Sequence, residues 1–264
     1  MDIKRLFLGM DSMAPWPESF PSGSLLSESS RHLTLAFLGE IESSQVFSHL
    51  STFPKPTFTM GLAGYFDRPL FLPPQSPRVA AWHIRCYEEK GLLKCFQEEI
   101  VQWLKEKGMT PKEKNREFLP HVTLARSPFL VSEWKQAFEK LPLFLGDVHL
   151  YESLGHSQYK VLWSHSILPP FEEFEHTADI AFLIRGRDFS ELHLHAQLAL
   201  SFHCPSLLNY FTFEPIESLE EIVVSLNRMI ALLDQDIGSP FKAISYHGSI
   251  KEKHNLEWEM IVDV

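Results

Sequence analysis

Two periods of apolar and polar positions divide the chain into strands, where they alternate, and helices, where they recur every three to four residues. Residues 3–10 (Ile-Lys-Arg-Leu-Phe-Leu-Gly-Met) predict an opening strand. Residues 14–30 are rich in Pro, Ser and Gly and predict a loop. A strand follows at 32–38, stopping at Gly39, then a short helix over 45–53 and an alternating strand over 57–64. The stretch 68–78 holds four prolines and predicts a loop; 79–86 (Val-Ala-Ala-Trp-His-Ile-Arg-Cys) predicts a buried strand. The clearest helix is 88–107, where Leu92, Leu93, Phe96, Ile100 and Leu104 form one face and Gly108 ends it. After Pro120 come a strand, a helix near 132–141, and strands near 147–153 and 159–165. Leu-Pro-Pro at 168–170 predicts a short, stiff boundary. Beyond it the pattern predicts a strand at 174–184, helices near 188–203 and 217–234, and strands near 241–249 and 256–263. The core stripe of the last helix is Leu219, Ile222, Val223, Leu226, Ile230 and Leu233.

Two of these strands open on the same five-residue pattern: His-Leu-Thr-Leu-Ala at 32–36 and His-Val-Thr-Leu-Ala at 121–125. Residues two apart in a strand share a face. His32 and Thr34 therefore point one way, and Leu33, Leu35 and Phe37 the other; His121 and Thr123 likewise oppose Val122 and Leu124. Each motif predicts a buried strand that shows an imidazole and a hydroxyl to a groove. The order of elements is roughly twofold, so two similar halves placed face to face would bring both motifs into one cleft.

Charge changes this picture beyond the boundary. Residues 1–170 hold 18 Lys and Arg against 18 Asp and Glu, whereas residues 171–264 hold 6 against 16, so the whole formal charge of −10 sits in the last third. Such asymmetry predicts two units. The acidic one is a poor RNA binder by simple electrostatics; cations or a basic protein surface suit it better, though an ordinary solvated acidic surface is the plain alternative. No apolar run approaches the roughly 18 residues of a membrane span. The N-terminus has no signal-peptide pattern. Cys86, Cys95 and Cys204 are an odd number without a Cys-x-x-Cys pair, as in a reduced cytoplasmic protein.

Two facing imidazoles can do acid–base work near neutral pH. Two hydroxyls beside them can donate hydrogen bonds to phosphate oxygens, where transition-state charge is spread. These are the parts needed to open a cyclic phosphodiester without a metal. Residues 1–168 resemble the two-histidine (2H) phosphoesterases, in particular the LigT-like RNA 2′,3′-cyclic phosphodiesterases, also called 2′-5′ RNA ligases. The resemblance rests on Arg-Leu-Phe-Leu at 5–8, Arg-His-Leu-Thr-Leu-Ala-Phe-Leu-Gly at 31–39, Pro-Arg-Val-Ala-Ala-Trp at 77–82, Phe-Leu-Pro-His-Val-Thr-Leu-Ala-Arg-Ser at 118–127, and Leu-Tyr-Glu-Ser-Leu at 150–154 followed by Tyr159. It implies an α+β fold: a bilobal domain with two pseudo-symmetric lobes and the motifs lining a central cleft. It also implies hydrolysis of RNA 2′,3′-cyclic phosphate ends to a 2′-phosphate, with no cofactor. His121 would be the general base that activates water and His32 the general acid that protonates the leaving 3′-oxygen. Thr34 and Thr123 would hold phosphate oxygens, and Arg126 would add charge there. One departure stands out: the family carries a regular helix after its first strand, where this chain has the Pro- and Ser-rich 14–30.

In the acidic part, Glu-His-Thr-Ala-Asp-Ile at 175–180 holds another His and Thr, adjacent rather than alternating, so it is not a third copy. Asp179 and Asp263 each sit in an apolar strand, where a carboxylate needs a partner or a cation. Residues 172–264 resemble archease, the activator of RtcB-type tRNA-splicing ligases, a second small α+β domain. The stretches are 175–180, the helix with Glu191, Ala196 and Ala199, Leu-Asn within 219–234, Lys-Ala-Ile-Ser-Tyr-His at 242–247 and Ile-Val-Asp-Val at 261–264. The resemblance implies a divalent cation, Ca or Mg, on Asp179, Asp263 and the carbonyl of Val264. The family's region before the Lys-Ala-x-x-Tyr-His strand is mostly replaced by the short 234–240. His193, His195, His203 and Cys204 show no zinc-ligand spacing. The expected partner is RNA with 2′,3′-cyclic phosphate ends, tRNA fragments among them, acted on by a monomer. The alternative is a regulatory protein that activates an RtcB-type ligase while the phosphoesterase part holds RNA ends.

Overall fold

The computed structural model describes every residue except 1, 89–90, 113–116, 177–178, 246–249 and 253–254. The chain divides into two compact units, Met1–Lys140 with Phe144–Leu168, and Leu141–Leu143 with Pro169–Val264.

The first unit holds strands β1 (Ile3–Met13), β2 (Ser24–Leu25), β3 (His32–Glu42), β4 (Leu62–Leu72), β5 (Val79–Cys86), β6 (His121–Arg126) and β8 (Gln158–His165), with β7 (Pro142–Gly155) running into it, and helices α1 (Ser43–Phe47), α2 (Leu92–Glu106) and α3 (Val131–Gln136). The strands form one sheet in the order β1-β3-β6-β5-β4-β7-β8, with β2 on β6; β1 also pairs with β7, so the path closes on itself. The two expected lobes are thus one continuous closed sheet. β1 pairs with β3 from Ile3↔Glu42 to Asp11↔His32, and β5 with β6 from Val79↔Arg126 to His83↔His121. These two antiparallel groups meet at the motif strands through Leu33↔Val122.

The predicted alternation holds in both motifs: Leu33, Leu35, Val122 and Leu124 are buried. Phe37 is instead half-exposed, with the Arg5 guanidinium 5.1 Å above its ring. α2 packs against β3 and buries Leu93, Phe96, Ile100, Trp103 and Leu104, each contributing roughly 1.5–3 kcal/mol. It begins at Leu92 rather than 88 because the Glu88 carboxylate accepts from the backbone N–H of Leu92 and of Leu93, the latter at 3.1 Å, and so caps the helix from outside.

Three other expectations shift for local reasons. β3 does not stop at Gly39; that residue takes φ +74°, and the pairing passes from Leu6↔Gly39 to Phe7↔Phe37, a bulge that only glycine makes cheaply. β4 lies later than predicted and runs through Pro69, which follows a bulge at Asp67 where the ladder is already interrupted. The loop 14–30 is pinned rather than free: β2 pairs with the second motif strand at Ser24↔Arg126 and Leu25↔Ala125. Trp16 and Phe20 lie 6.1 and 5.8 Å from the ring of buried Trp82, and Trp134 donates to the Ser22 carbonyl at 3.1 Å.

In the second unit the sheet order is β11 (Ala243–Ile244), β13 (Leu256–Asp263), β10 (Ile180–Gly186), β9 (Phe171–Phe174), with β12 (Ile250–Glu252) on β13. The predicted strand 174–184 is two, since β9 and β10 pair antiparallel, Ala181↔Phe174. Helices α4 (Phe189–His203) and α5 (Leu219–Ile237) start alike: Asp188 and Ser218 accept from the backbone of Glu191 and Glu221, whose carboxylates reach back to the N–H of Arg187 and Glu217. The α5 stripe is as predicted, except that Met229 is buried and Leu219 is not. His193 and His195 are core residues of α4; His195 Nδ1 donates to the Arg185 carbonyl at 2.6 Å. Among the described residues, no helix is long and apolar enough to cross a membrane, and no group of three His, Cys, Asp or Glu could hold a metal.

Candidate active site

The register Leu33↔Val122 sets the geometry of the motifs. Counting outward in an antiparallel pair, His32 falls across from Thr123 and Thr34 across from His121. All four side chains lie on the face opposite the buried leucines and valine, and each is half-buried. Each imidazole is fixed in the same way. His32 Nδ1 lies 2.8 Å from the Ser30 carbonyl, and His121 Nδ1 lies 2.7 Å from the Leu119 carbonyl, two residues upstream in both cases. A carbonyl only accepts, so Nδ1 carries the proton, and in the neutral ring Nε2 keeps its lone pair.

The surroundings of the two rings differ. Phe7 and Tyr151 stack near His32 with centroids at 4.8 and 5.1 Å, and Tyr159 meets it edge-on at 4.9 Å. This burial pushes the His32 pKa down to about 4, and the positive fields of His121, Arg126 and His149 add to the drop. Burial also lowers the pKa of His121, with His83 acting in the same direction. Burial raises the Tyr151 phenol. Both imidazoles are therefore held below the ordinary histidine range, His32 the further of the two by its burial among the aromatic rings. Arg126, at the end of β6, donates from Nε to Ser157 Oγ at 3.0 Å and from Nη2 to the Tyr159 hydroxyl at 3.3 Å. It thus reaches from the second motif toward the aromatic residues around the first.

Two histidines near the motifs, each with its polar partners, were not singled out from the sequence pattern. His83 is the register partner of His121, and its Nδ1 lies 2.7 Å from Asp67 Oδ1. His149 Nδ1 lies 2.8 Å from Ser164 Oγ, with Nε2 at 4.0 Å from Asp11 Oδ2. A histidine in the middle of an apolar strand such as 79–86 was the one available hint.

Gly9 is what allows β1 to lie so close to the Leu33 backbone of β3, beside His32 and Tyr151. A Cβ at Gly9 would stand 2.6 Å from the Leu33 carbonyl oxygen, 3.4 Å from Tyr151 Cε2 and 3.5 Å from His32 Cδ2. Gly9→Val should therefore force β1 away from β3, lowering stability by about 1–3 kcal/mol and displacing the His32 ring. Thermal unfolding and turnover should both show it; a variant with unchanged activity would mean that this close approach does not position His32.

The three residues expected to hold a cation sit together only in part. The β10–β13 ladder ends at Ile180↔Val262, so Asp179 and Asp263 follow at one end of the sheet. Asp179 Oδ2 lies 3.6 Å from His176 Nδ1. The Lys242 ammonium stands 3.7 Å from Asp263 Oδ1 and donates to the Val264 carbonyl. The Lys242 ammonium thus stands beside two of the three expected ligands, Asp263 and the Val264 carbonyl, and Asp179 faces His176. Thr177 and Ala178 of the 175–180 stretch, and Tyr246 and His247 of the 242–247 stretch, lie outside the described residues.

No family model matches the chain. It is 32% identical over 123 residues to the RNA 2′,3′-cyclic phosphodiesterase of Thermotoga maritima, covering 44% of this chain and 60% of that protein, so it spans less than two thirds of the relative's length. Among solved structures it is similar to Escherichia coli LigT complexed with 3′-AMP, at 22% identity and a TM-score of 0.45, over 63% of this chain and 99% of that one. A Thermus thermophilus structure matches at 20% identity and a TM-score of 0.43, over 62% and 97%.

Proposed function

We propose that the unit containing both motifs is an RNA 2′,3′-cyclic phosphodiesterase that works by metal-independent acid–base catalysis. The observation that carries this reading is the crossed arrangement of two His-x-Thr motifs, each imidazole fixed through Nδ1 with Nε2 left for chemistry. The identity with the Thermotoga maritima enzyme supports it.

In this reading water gives a proton to Nε2 of His121 as its oxygen bonds to phosphorus. The bond from phosphorus to the 3′-oxygen breaks, and Nε2–H of His32 protonates that oxygen. The products are a 2′-phosphate and a free 3′-hydroxyl. Thr34 and Thr123 donate hydrogen bonds to the non-bridging oxygens, where charge accumulates. His32 must carry a proton for its step. Burial opposes this, and the negative charge of a bound phosphodiester offsets it. Arg126 adds positive charge near the phosphate.

The test is product analysis. The purified protein, in EDTA, should convert an RNA ending in a 2′,3′-cyclic phosphate to one ending in a 2′-phosphate. No turnover, a 3′-phosphate product, or dependence on added metal would overturn the reading. The competing role, activation of an RtcB-type ligase by residues 172–264, predicts ligase stimulation that needs Asp179 and Asp263 and survives loss of both motif histidines.

A further inference from the structure

Beside the second motif stands a histidine that the reaction above does not use. His83 is directly opposite His121 in the β5–β6 ladder, so the two imidazoles share a face and start from neighbouring Cβ positions, about 4.5–5.5 Å apart in such pairs. The residues flanking His83 in its strand, Trp82 and Ile84, are buried on the other side. The alternation thus presents His83 to the groove.

Its ring is held by a purpose-shaped piece of backbone. The β4–β5 register passes from Phe66↔Ile84 to Arg68↔His83, leaving Asp67 as the extra residue of a bulge. A bulge re-aims a side chain that regular pairing would send elsewhere. Here it brings Asp67 Oδ1 to 2.7 Å from His83 Nδ1. The other carboxylate oxygen accepts from Arg68 Nη1 at 2.9 Å. A carboxylate only accepts, so Nδ1 of His83 carries a proton and Nε2 is left unengaged by Asp67. Side-chain exposures of 14% for His83 and 16% for Asp67 leave little solvent to screen the pair from His121.

We propose that His83, pinned by Asp67, is a third histidine of the groove that acts on the reaction through His121, as a positioning residue for the base. The inference rests on the cyclic phosphodiesterase reading and deepens it. Whenever His83 is cationic, its charge directly across the ladder disfavours a second cation on His121 and so keeps the base unprotonated to lower pH. The lowered pKa of His121, to which His83 contributes, agrees with this direction. The charged and titratable groups on the strands around His121 are His32, Glu40 and Glu42 on β3, His83, Arg85 and Cys86 on β5, Tyr65, Asp67 and Arg68 on β4, and Arg126 on its own strand. His83 is the one facing it across a ladder pair.

Two readouts test this in the full chain. The first is the pH profile of cyclic-phosphate hydrolysis; the second is the titration of the His121 imidazole followed by NMR, which needs no turnover. In His83→Gln the acidic limb of the profile and the His121 midpoint should both move to higher pH, by roughly half a unit or more. His83→Lys, which restores a cation, should return both toward the wild-type positions. A merely structural role would lower stability or overall rate in both variants without moving either midpoint. A wild-type protein that hydrolyses the substrate while His83→Gln leaves both positions unchanged overturns this inference. A wild-type protein without turnover overturns the functional reading instead, and the NMR midpoint then decides the coupling of His83 to His121 by itself.

Discussion

Replacing His32 or His121 with alanine should lower the turnover of a 2′,3′-cyclic phosphate RNA end by about 10²–10⁴-fold, the range for loss of a positioned general acid or base. The fold should survive either change. The core side of each motif strand is carried by Leu33, Leu35, Val122 and Leu124, while both imidazoles are half-buried on the groove side. The double variant should lose much less than the product of the two single losses, because both groups act in one step and removal of either leaves only what binding and the hydroxyls supply. The measurement is kcat/KM in EDTA for wild type, the two single variants and the double variant, with far-UV circular dichroism as the check on folding. Folded variants that retain full activity would remove the residue from the mechanism.

The second large effect is structural. Trp82→Ala should destabilise the protein by about 3–5 kcal/mol, the usual range for emptying a large aromatic site in a core. Trp82 is 1% exposed, and its ring lies near those of Trp16, Phe20, Phe66 and Phe138 at centroid distances of 6.1, 5.8, 5.4 and 5.5 Å. It therefore joins the segment 14–30 to the sheet as well as filling space. Trp82→Phe should cost far less, because the indole Nε1 of Trp82 is buried without a hydrogen-bond partner and its loss removes an unsatisfied donor. Urea unfolding of both variants is the measurement. Equal losses for Ala and Phe would show that the indole makes a bond not seen here, and a negligible loss for Ala would show that the aromatic cluster collapses without it.

What the sequence revealed and what it hid follow from the range of each interaction. The motif strands, the α2 face and most of the α5 stripe depend on spacing within one element, and these were legible. Leu33, Leu35, Phe96, Ile100 and Leu226 are all buried as the periodicity required. The segment 14–30 was rightly read as a loop, since Pro, Ser and Gly mark an irregular backbone, but its anchors are distant in sequence and nothing local says that Trp16 and Phe20 will meet Trp82. The contact of Asp67 with His83 needed both a strand partner and a bulge, and the four prolines that follow had suggested that no strand reached that far. Gly39 and Pro69 were read as stops for the same reason. In isolation each favours an interruption, and a bulge supplies the interruption without ending the strand. Asp179 and Asp263 were read as carboxylates inside apolar strands; in the fold their side chains are 29% and 52% exposed, and Lys242 stands 3.7 Å from Asp263, none of which spacing within a strand reveals.

The pairing Leu33↔Val122 places a local twofold axis between the motif strands, since it exchanges His32 with His121 and Thr34 with Thr123. Two equivalent half-sites cannot tell one ester oxygen of a cyclic phosphate from the other; a substrate turned end for end would meet the same four side chains. Any preference for breaking the bond to one oxygen has to come from what the axis does not relate. On one side that is the aromatic wall of Phe7, Tyr151 and Tyr159 around His32, and on the other the His83–Asp67 pair beside His121. In the proposed reaction the matched motifs account for reactivity, and the unmatched neighbours for its handedness.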